Sequence, residues 1–332
     1  MSADRLLSTC GTEGITASSL RACACILTAG LMVILSLCCP ASAQRPPEQK
    51  PPRTCNAAYL KNSVLVDGVK FRVYKNDKSG EKCLQIVQAG KLLFERTDDN
   101  DGAFTLGQQA NKDGTIAAIP DGVDITGRGH ADMIVTEWTG GAHCCRLDHV
   151  FELRPKVRLL AELHAQDADE SHFADLDKDG RYYYVTADYT FAYWWGSFAG
   201  SPVHEVILRF VNDRNGGQYH LAFDKMARPA PSEAEWADAL ARVKGELDLN
   251  DTNMANNLAQ VLWQEVMDFI YTGHSDLAWK LLKEVGPKAQ QGGYPSLTDF
   301  CLTLKASPYW PDLRETMHGT PPACLNAKPG YK

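Results

Sequence analysis

The feature that most restricts this chain is a change of apolar period at Pro231. Before it, from about Thr54 to Phe223, apolar residues come in short runs rich in Val, Ile, Leu, Phe and Tyr, at 63–66, 69–74, 83–87, 92–94, 133–138, 147–153, 157–163, 182–187, 206–210 and 219–223. Asp, Asn and Gly clusters separate them, as at 76–80, 98–102 and 212–217. Runs of this length bounded by turn formers predict antiparallel β structure. After Pro231 the apolar residues recur every three or four positions. Ser232 and Glu235 form a capping box ahead of Trp236, Leu240, Val243 and Leu247, and a second helix is expected over 252–272 with Leu258, Val261, Leu262, Val266 and Phe269, stopping at Gly273. Ser275 is expected to cap a third helix carrying Leu277, Ala278, Leu281 and Leu282, and 297–304 reads as a fourth. The expected fold class is mainly β over 54–228, a propeller-like or irregular antiparallel β repeat array, followed by an α-helical region over 229–332.

The first 43 residues read differently. Residues 22–43 carry no charge, 26–37 are largely apolar, Arg5 and Arg21 precede them, and Ala41-Ser42-Ala43 follows. This is the layout of a secretory signal cleaved after Ala43; the small-residue end and Pro40 favour cleavage over a retained membrane anchor, so no transmembrane segment is expected after it. Residues 44–53 contain four prolines, which remove backbone donors and fix φ, and read as an extended linker. Five of the eleven cysteines fall in the leader, leaving Cys55, Cys83, Cys144, Cys145, Cys301 and Cys324. An even number in an exported chain reads as disulfides, and loop-closure entropy favours near neighbours, Cys55 with Cys83 and Cys301 with Cys324. A periplasmic or secreted location follows. The net charge of −7 lacks the basic footprint of a nucleic-acid binder.

An internal repeat lies inside the β region. One segment begins at Asp124, DITGRGHAD, and enters the run MIVTEW; another begins at Asp175, DLDKDGRYY, and enters YVTAD. A glycine-rich loop (140–145) follows the first and an aromatic loop (191–202) the second, and each continues into two more runs. A period near 50 residues means stacked β units, and the β region holds about three. In DxDxDG the carboxylates at positions 1, 3 and 5 converge because the glycine at position 6 permits a sharp turn, and hard oxygen ligands suit calcium. Asp175, Asp177 and Asp179 are thus candidate calcium ligands, as are Asp124 and Asp132, the latter at position 9. The first loop carries Thr126 and Arg128 at positions 3 and 5, and Tyr183 replaces the ninth ligand of the second. A calcium hand of the helix-loop-helix kind is excluded, since its position-12 Glu is Thr186 here. The alternative is a polar turn whose Asp side chains bond their own backbone.

The DITGRGHADMIV and DLDKDG stretches resemble the FG-GAP or VCBS type of β-propeller repeat. The series DITG, GGAHCC, FADLDKDG, TFAYWWGSFAGSP and SPYWPDL is similar to a group of exported bacterial proteins of uncharacterised activity. The resemblance implies a propeller-type fold and a calcium-type loop, and no reaction. The segment DFIYTGHSDLAWKLLKE is similar to one helical hairpin of a tetratricopeptide repeat, which by itself is too little for a solenoid.

Two further clusters bear on function. His143, Cys144 and Cys145 could serve as soft metal ligands or a redox centre, and five of the nine histidines fall between Asp124 and Asp175. Structural disulfides are the competing use of the cysteines. Tyr193, Trp194 and Trp195 belong to an aromatic concentration that would suit a sugar ring or a protein hot spot if exposed, or blade packing if buried. No GxSxG, HExxH or phosphate-cradling glycine loop is present, and no catalytic residue is assigned. The expected function is an exported non-catalytic binding module for a protein or glycan of the cell envelope. The alternative is a periplasmic metal- or thiol-dependent enzyme centred on His143, Cys144 and Cys145.

Overall fold

The computed structural model describes residues 55–99, 102–141, 146–213, 216–247, 255–289 and 296–326. The short apolar runs form three four-stranded antiparallel sheets in which strand order follows the chain. The first holds β1 (Leu60–Val66), β2 (Val69–Lys75), β3 (Lys82–Gln88) and β4 (Lys91–Asp98). The second holds β5 (Ala103–Leu106), β6 (Asp132–Trp138), β7 (Arg146–Glu152) and β8 (Arg158–His164). The third holds β9 (His172–Ala174), β10 (Tyr183–Asp188), β11 (His204–Val211) and β12 (Gln218–Leu221). Among the described residues the sheets close neither a barrel nor a complete propeller ring.

The second sheet is buried on both faces, and side-chain alternation assigns each residue its neighbour. Met133, Val135 and Phe151 join Phe71, Leu84 and Ile86 of the first sheet in one core. Ile134 and Val150 join Phe173, Tyr184, Val206 and Leu208 of the third sheet in another. The polar residues of β6 and β7 obey the same parity. Glu137 faces the first sheet, where Lys82 Nζ lies 3.1 Å and Arg96 Nε 3.1 Å from its carboxylate, and His149 Nε2 lies 3.1 Å away on the neighbouring strand. Lys82 Nζ also donates to the Trp138 carbonyl at 3.0 Å. Asp148 faces the third sheet and accepts the Tyr184 hydroxyl at 2.7 Å, with Arg146 Nε at 2.8 Å.

Among the described residues, seven helices follow or cap this array: α1 (Phe223–Met226), α2 (Glu233–Leu247), α3 (Ala255–Tyr271), α4 (Ser275–Ala289), α5 (Leu297–Ala306), α6 (Trp310–Thr316) and α7 (Ala323–Asn326). The expected capping box forms, with Glu235 N donating to Ser232 Oγ at 3.3 Å and Ser232 N to the Glu235 carboxylate at 2.7 Å. Ser275 does not cap α4. Its hydroxyl donates to the His318 carbonyl at 3.1 Å and accepts from His318 N at 2.7 Å, while the His274 carbonyl receives the first helical amides.

The helices share the core of the third sheet through Val243, Leu262, Trp263, Val266, Ile270 and Phe300. Polar contacts fix their seating. The Gln264 side chain bonds both the N–H (2.9 Å) and the carbonyl (2.8 Å) of Val203, completing the entry to β11 as a neighbouring strand would. Asp268 holds His204 at 2.8 Å, and Asp312 holds His220 and the Leu221 amide at 2.9 and 2.8 Å. Residues 51–332 thus make one compact unit. The two expected near-neighbour disulfides are present: Cys55–Cys83 joins the chain ahead of β1 to β3, and Cys301–Cys324 joins α5 to α7. No helix among the described residues is long and apolar enough to cross a membrane. The leader and linker (1–53) and the adjacent Cys144 and Cys145 lie outside the described residues.

Lys82 and Glu137 are both fully withdrawn from water, and breaking such a pair leaves an uncompensated buried charge. Glu137→Leu should lower the unfolding free energy in urea by about 3–5 kcal/mol, and adding Lys82→Met should recover most of the loss. A double variant no more stable than the single one would show that this charge pairing does not join the first two sheets.

Candidate functional site

Both acidic loops occupy the same place in the topology, the connection from first to second strand of their sheet. Their backbones match. Positions 4 and 6 are left-handed in each, Gly127 (φ +70°) and Gly129 (+81°) in the first, Lys178 (+57°) and Gly180 (+83°) in the second. Both carboxylate oxygens of the leading Asp accept backbone amides: Asp124 from Arg128 N (2.9 Å) and Gly129 N (2.6 Å), Asp175 from Asp179 N (3.0 Å) and Gly180 N (2.9 Å). The loops are neighbours, for the Arg181 stem of the second passes directly over Gly127 of the first.

The remaining carboxylates are engaged as well. Asp177 pairs with Lys225 and accepts the Tyr183 hydroxyl at 2.7 Å, which together hold its carboxyl below the usual range. Asp179 accepts Arg181 N at 3.0 Å and pairs with the Arg181 guanidinium at 2.9 Å. Asp132 is buried; one of its oxygens accepts Thr126 N (3.0 Å) and Thr126 Oγ1 (2.9 Å), and the other has no hydrogen-bond partner. Arg128 turns its guanidinium to Glu152 at 2.9 Å. Among the described residues, the one grouping of three His, Cys, Asp or Glu ligand atoms within 4.8 Å is Cys55, Cys83 and Glu95, whose sulfurs are joined in the disulfide. Among the described residues, no three carboxylates of the acidic loops bring an oxygen each within 4.8 Å of one another.

A different site lies at the opposite end of the third sheet. The outer face of β10 and β11 (Val185, Ala187, Glu205) floors an open cleft of about 400 Å³, walled by the β8–β9 connection and the aromatic loop between β10 and β11. Asp167, Asp169, Glu170, Glu205 and His172 line it, and no Lys or Arg does. Tyr189 and Phe198 stack at 5.6 Å with an interplanar angle of 3°, and the Tyr193 ring lies 5.4 Å from Phe198, tilted by 45°. Burial and the nearby Asp167, Asp169 and Glu170 push the Tyr189 phenol up. Gln166 ties the two walls together by accepting Tyr189 N and reaching Thr190 Oγ1. The aromatic loop is seated on α3, where a side chain at Gly200 would collide with Gln260.

The aromatic triplet splits by direction. Tyr193 and Trp195 are 57% and 53% exposed, both with left-handed backbone (φ +57° and +56°). Trp194, expected with them as a binding residue, instead packs inward at 5.0 Å edge-on to Phe191 and 5.6 Å from Trp263. Alternation around two left-handed residues sends the middle ring to the core. The acids of the cleft escaped the sequence reading because the β topology brings Glu205 and the 167–170 run together. The available signal was the density of carboxylates in DADE just ahead of a strand.

The histidine concentration also disperses. His149 is buried between Glu137 and Glu162, while His172 Nδ1 contacts the Glu170 carbonyl at 2.8 Å. His143, Cys144 and Cys145 lie outside the described residues. No protein-family model, curated protein or solved structure matches the chain, so the functional reading rests on its own geometry.

Burial pushes the Asp132 carboxyl up to about 6, opposed by the Thr126 hydrogen bonds and reinforced by Asp124. The folded protein therefore binds this proton more tightly than the unfolded chain, and the contribution to stability falls as pH rises from about 4 to about 6. Asp132→Asn keeps an acceptor for Thr126 and removes the charge. It should stabilise the protein by about 2 kcal/mol at pH 7, with the gain vanishing towards pH 4. A gain that does not change with pH in urea unfolding would refute the assignment.

Proposed function

We propose that this chain is an exported, non-catalytic binding module whose working surface is the cleft beside the aromatic loop. The observation that carries this reading is the pairing of outward rings with carboxylates in one open recess. Tyr193 stands exposed beside it, 5.4 Å from Phe198, and the Tyr189–Phe198 stack forms one wall. Aromatic faces bind sugar rings and protein hot spots alike. The Asp169, Glu170 and Glu205 carboxylates that line it favour a protein segment presenting Lys or Arg, which the rings would also attract. A glycan of the envelope is the second reading, supported by the exposed Tyr193 and Trp195. Two disulfides support export to an oxidising compartment. Three successive four-stranded units packed face to face support the reading as a partial, propeller-like array. Calcium has no assigned part in this surface.

Calorimetric titration with a Lys- and Arg-containing peptide and with a neutral oligosaccharide tests the reading. Saturable binding of the peptide that weakens with salt is expected, with Tyr193→Ala reducing affinity about tenfold and Glu170→Gln reducing the salt dependence. Binding of the sugar alone would transfer the site to a glycan. Failure of both, or binding unchanged in both variants, would remove the cleft as the working surface.

A further inference from the structure

We propose that the second acidic loop is held by the protein's own cations, with the Lys225 ammonium and the Arg181 guanidinium occupying the role that the DxDxDG spacing offers to a divalent metal. The argument runs oxygen by oxygen. Asp175 spends both of its oxygens on main-chain amides, Asp177 meets Lys225 and the Tyr183 hydroxyl, and Asp179 meets the amide and guanidinium of Arg181. Two positive charges thereby face three negative ones, whereas three carboxylates around one point need an external cation. The residue at position 9 agrees. In the first loop it is the acceptor Asp132; in the second it is Tyr183, a donor, and a donor bridges to Asp177 where an acceptor would compete for metal.

Lys225 is placed for this by the end of the sheet. It sits on α1, immediately after β12, with its ammonium 5.4 Å from the Tyr183 ring, and α1 is tied to β11 through the Asp224–Arg209 pair. The loop between the first two strands of the sheet is therefore locked by a residue that arrives after the fourth. The first loop shows the same substitution by another route. Arg128 stands at position 5, where a ligand would be, and serves Glu152 on the face of the sheet, with Arg158 at 2.7 Å from the other Glu152 oxygen. Closure of both loops depends on the sheets being complete and is independent of the ionic composition of the compartment.

Thermal unfolding in millimolar calcium and in chelator tests the proposal, with three forms of the full chain. The wild-type protein should melt at the same temperature in both. Lys225→Met keeps the stem and removes the ammonium; it should melt about 1–3 °C lower in chelator, and calcium should restore part of the loss by binding the released Asp177. Lys225→Arg keeps the charge and should stay indifferent to calcium. Calorimetric titration of calcium into the folded proteins makes the same comparison without unfolding, with heat expected from Lys225→Met alone. A wild-type melting temperature that rises with calcium overturns the proposal. So does a Lys225→Met protein that is unaltered in chelator, or one whose loss calcium does not restore at all.

Discussion

A carboxylate removed from water must find donors, and in this protein the donors come from the next layer of the fold. Glu137 at the end of β6 is matched by Lys82 and Arg96 of the first sheet. Asp148 at the start of β7 is matched by Tyr184 of the third sheet. Asp188 at the end of β10 is matched by Tyr271 of α3 and by Ser307, at 2.6 Å, just after α5. All three acids are fully buried. The alignment that lays Asp124 over Asp175 also lays Glu137 over Asp188, so one position of the repeat carries an inter-layer tie in both sheets. Apolar burial supplies most of the driving force for stacking such layers, and these acids restrict which layer meets which, because a shifted sheet would strand a charge.

The meander plan explains why the two acidic features behave so differently. In a chain-ordered four-stranded sheet, the connection between the first two strands and the connection between the second and third emerge at opposite ends. The DxDxDG loop is at one end, drawn against α1 and the neighbouring loop, and its carboxylates are consumed by amides and cations of the protein. The aromatic loop is at the other, beside the 165–171 connection, and its Tyr193 and Trp195 rings and the Asp169 and Glu170 side chains face solvent. One end is closed by internal chemistry and the other presents chemistry outward.

Much of this was legible residue by residue. Ten of the twelve strands among the described residues follow from the apolar runs, and the capping box at Ser232, the stop at Gly273 and the two disulfide pairs follow from local chemistry and spacing. The missed strands, β5 and β9, are four and three residues long, too short for a period-two pattern to register. They are the first strands of their sheets, and without them the count of four per unit was hidden. The aromatic triplet was recognised as unusual, but which ring turned inward depended on left-handed backbone at Tyr193 and Trp195, conformations that such residues seldom adopt unaided. Ser275 had the right chemistry for a helix cap and was claimed by the His318 backbone, a partner far away in the chain.

The sequence by itself determined the local structure: where strands and helices run, where each acidic loop turns, and which cysteines are close enough along the chain to join. These are properties of neighbouring residues, set by side-chain period, turn chemistry and loop-closure entropy. Only the tertiary structure decided what the polar groups are for. Asp177 meets Lys225, Glu137 meets Lys82, and Glu205 lines one cleft with the acids of the 167–170 run, across separations that no local pattern encodes. A charge acts through the partners that folding brings within a few ångströms of it, so the same aspartate can bind a metal, hold a strand or face a ligand.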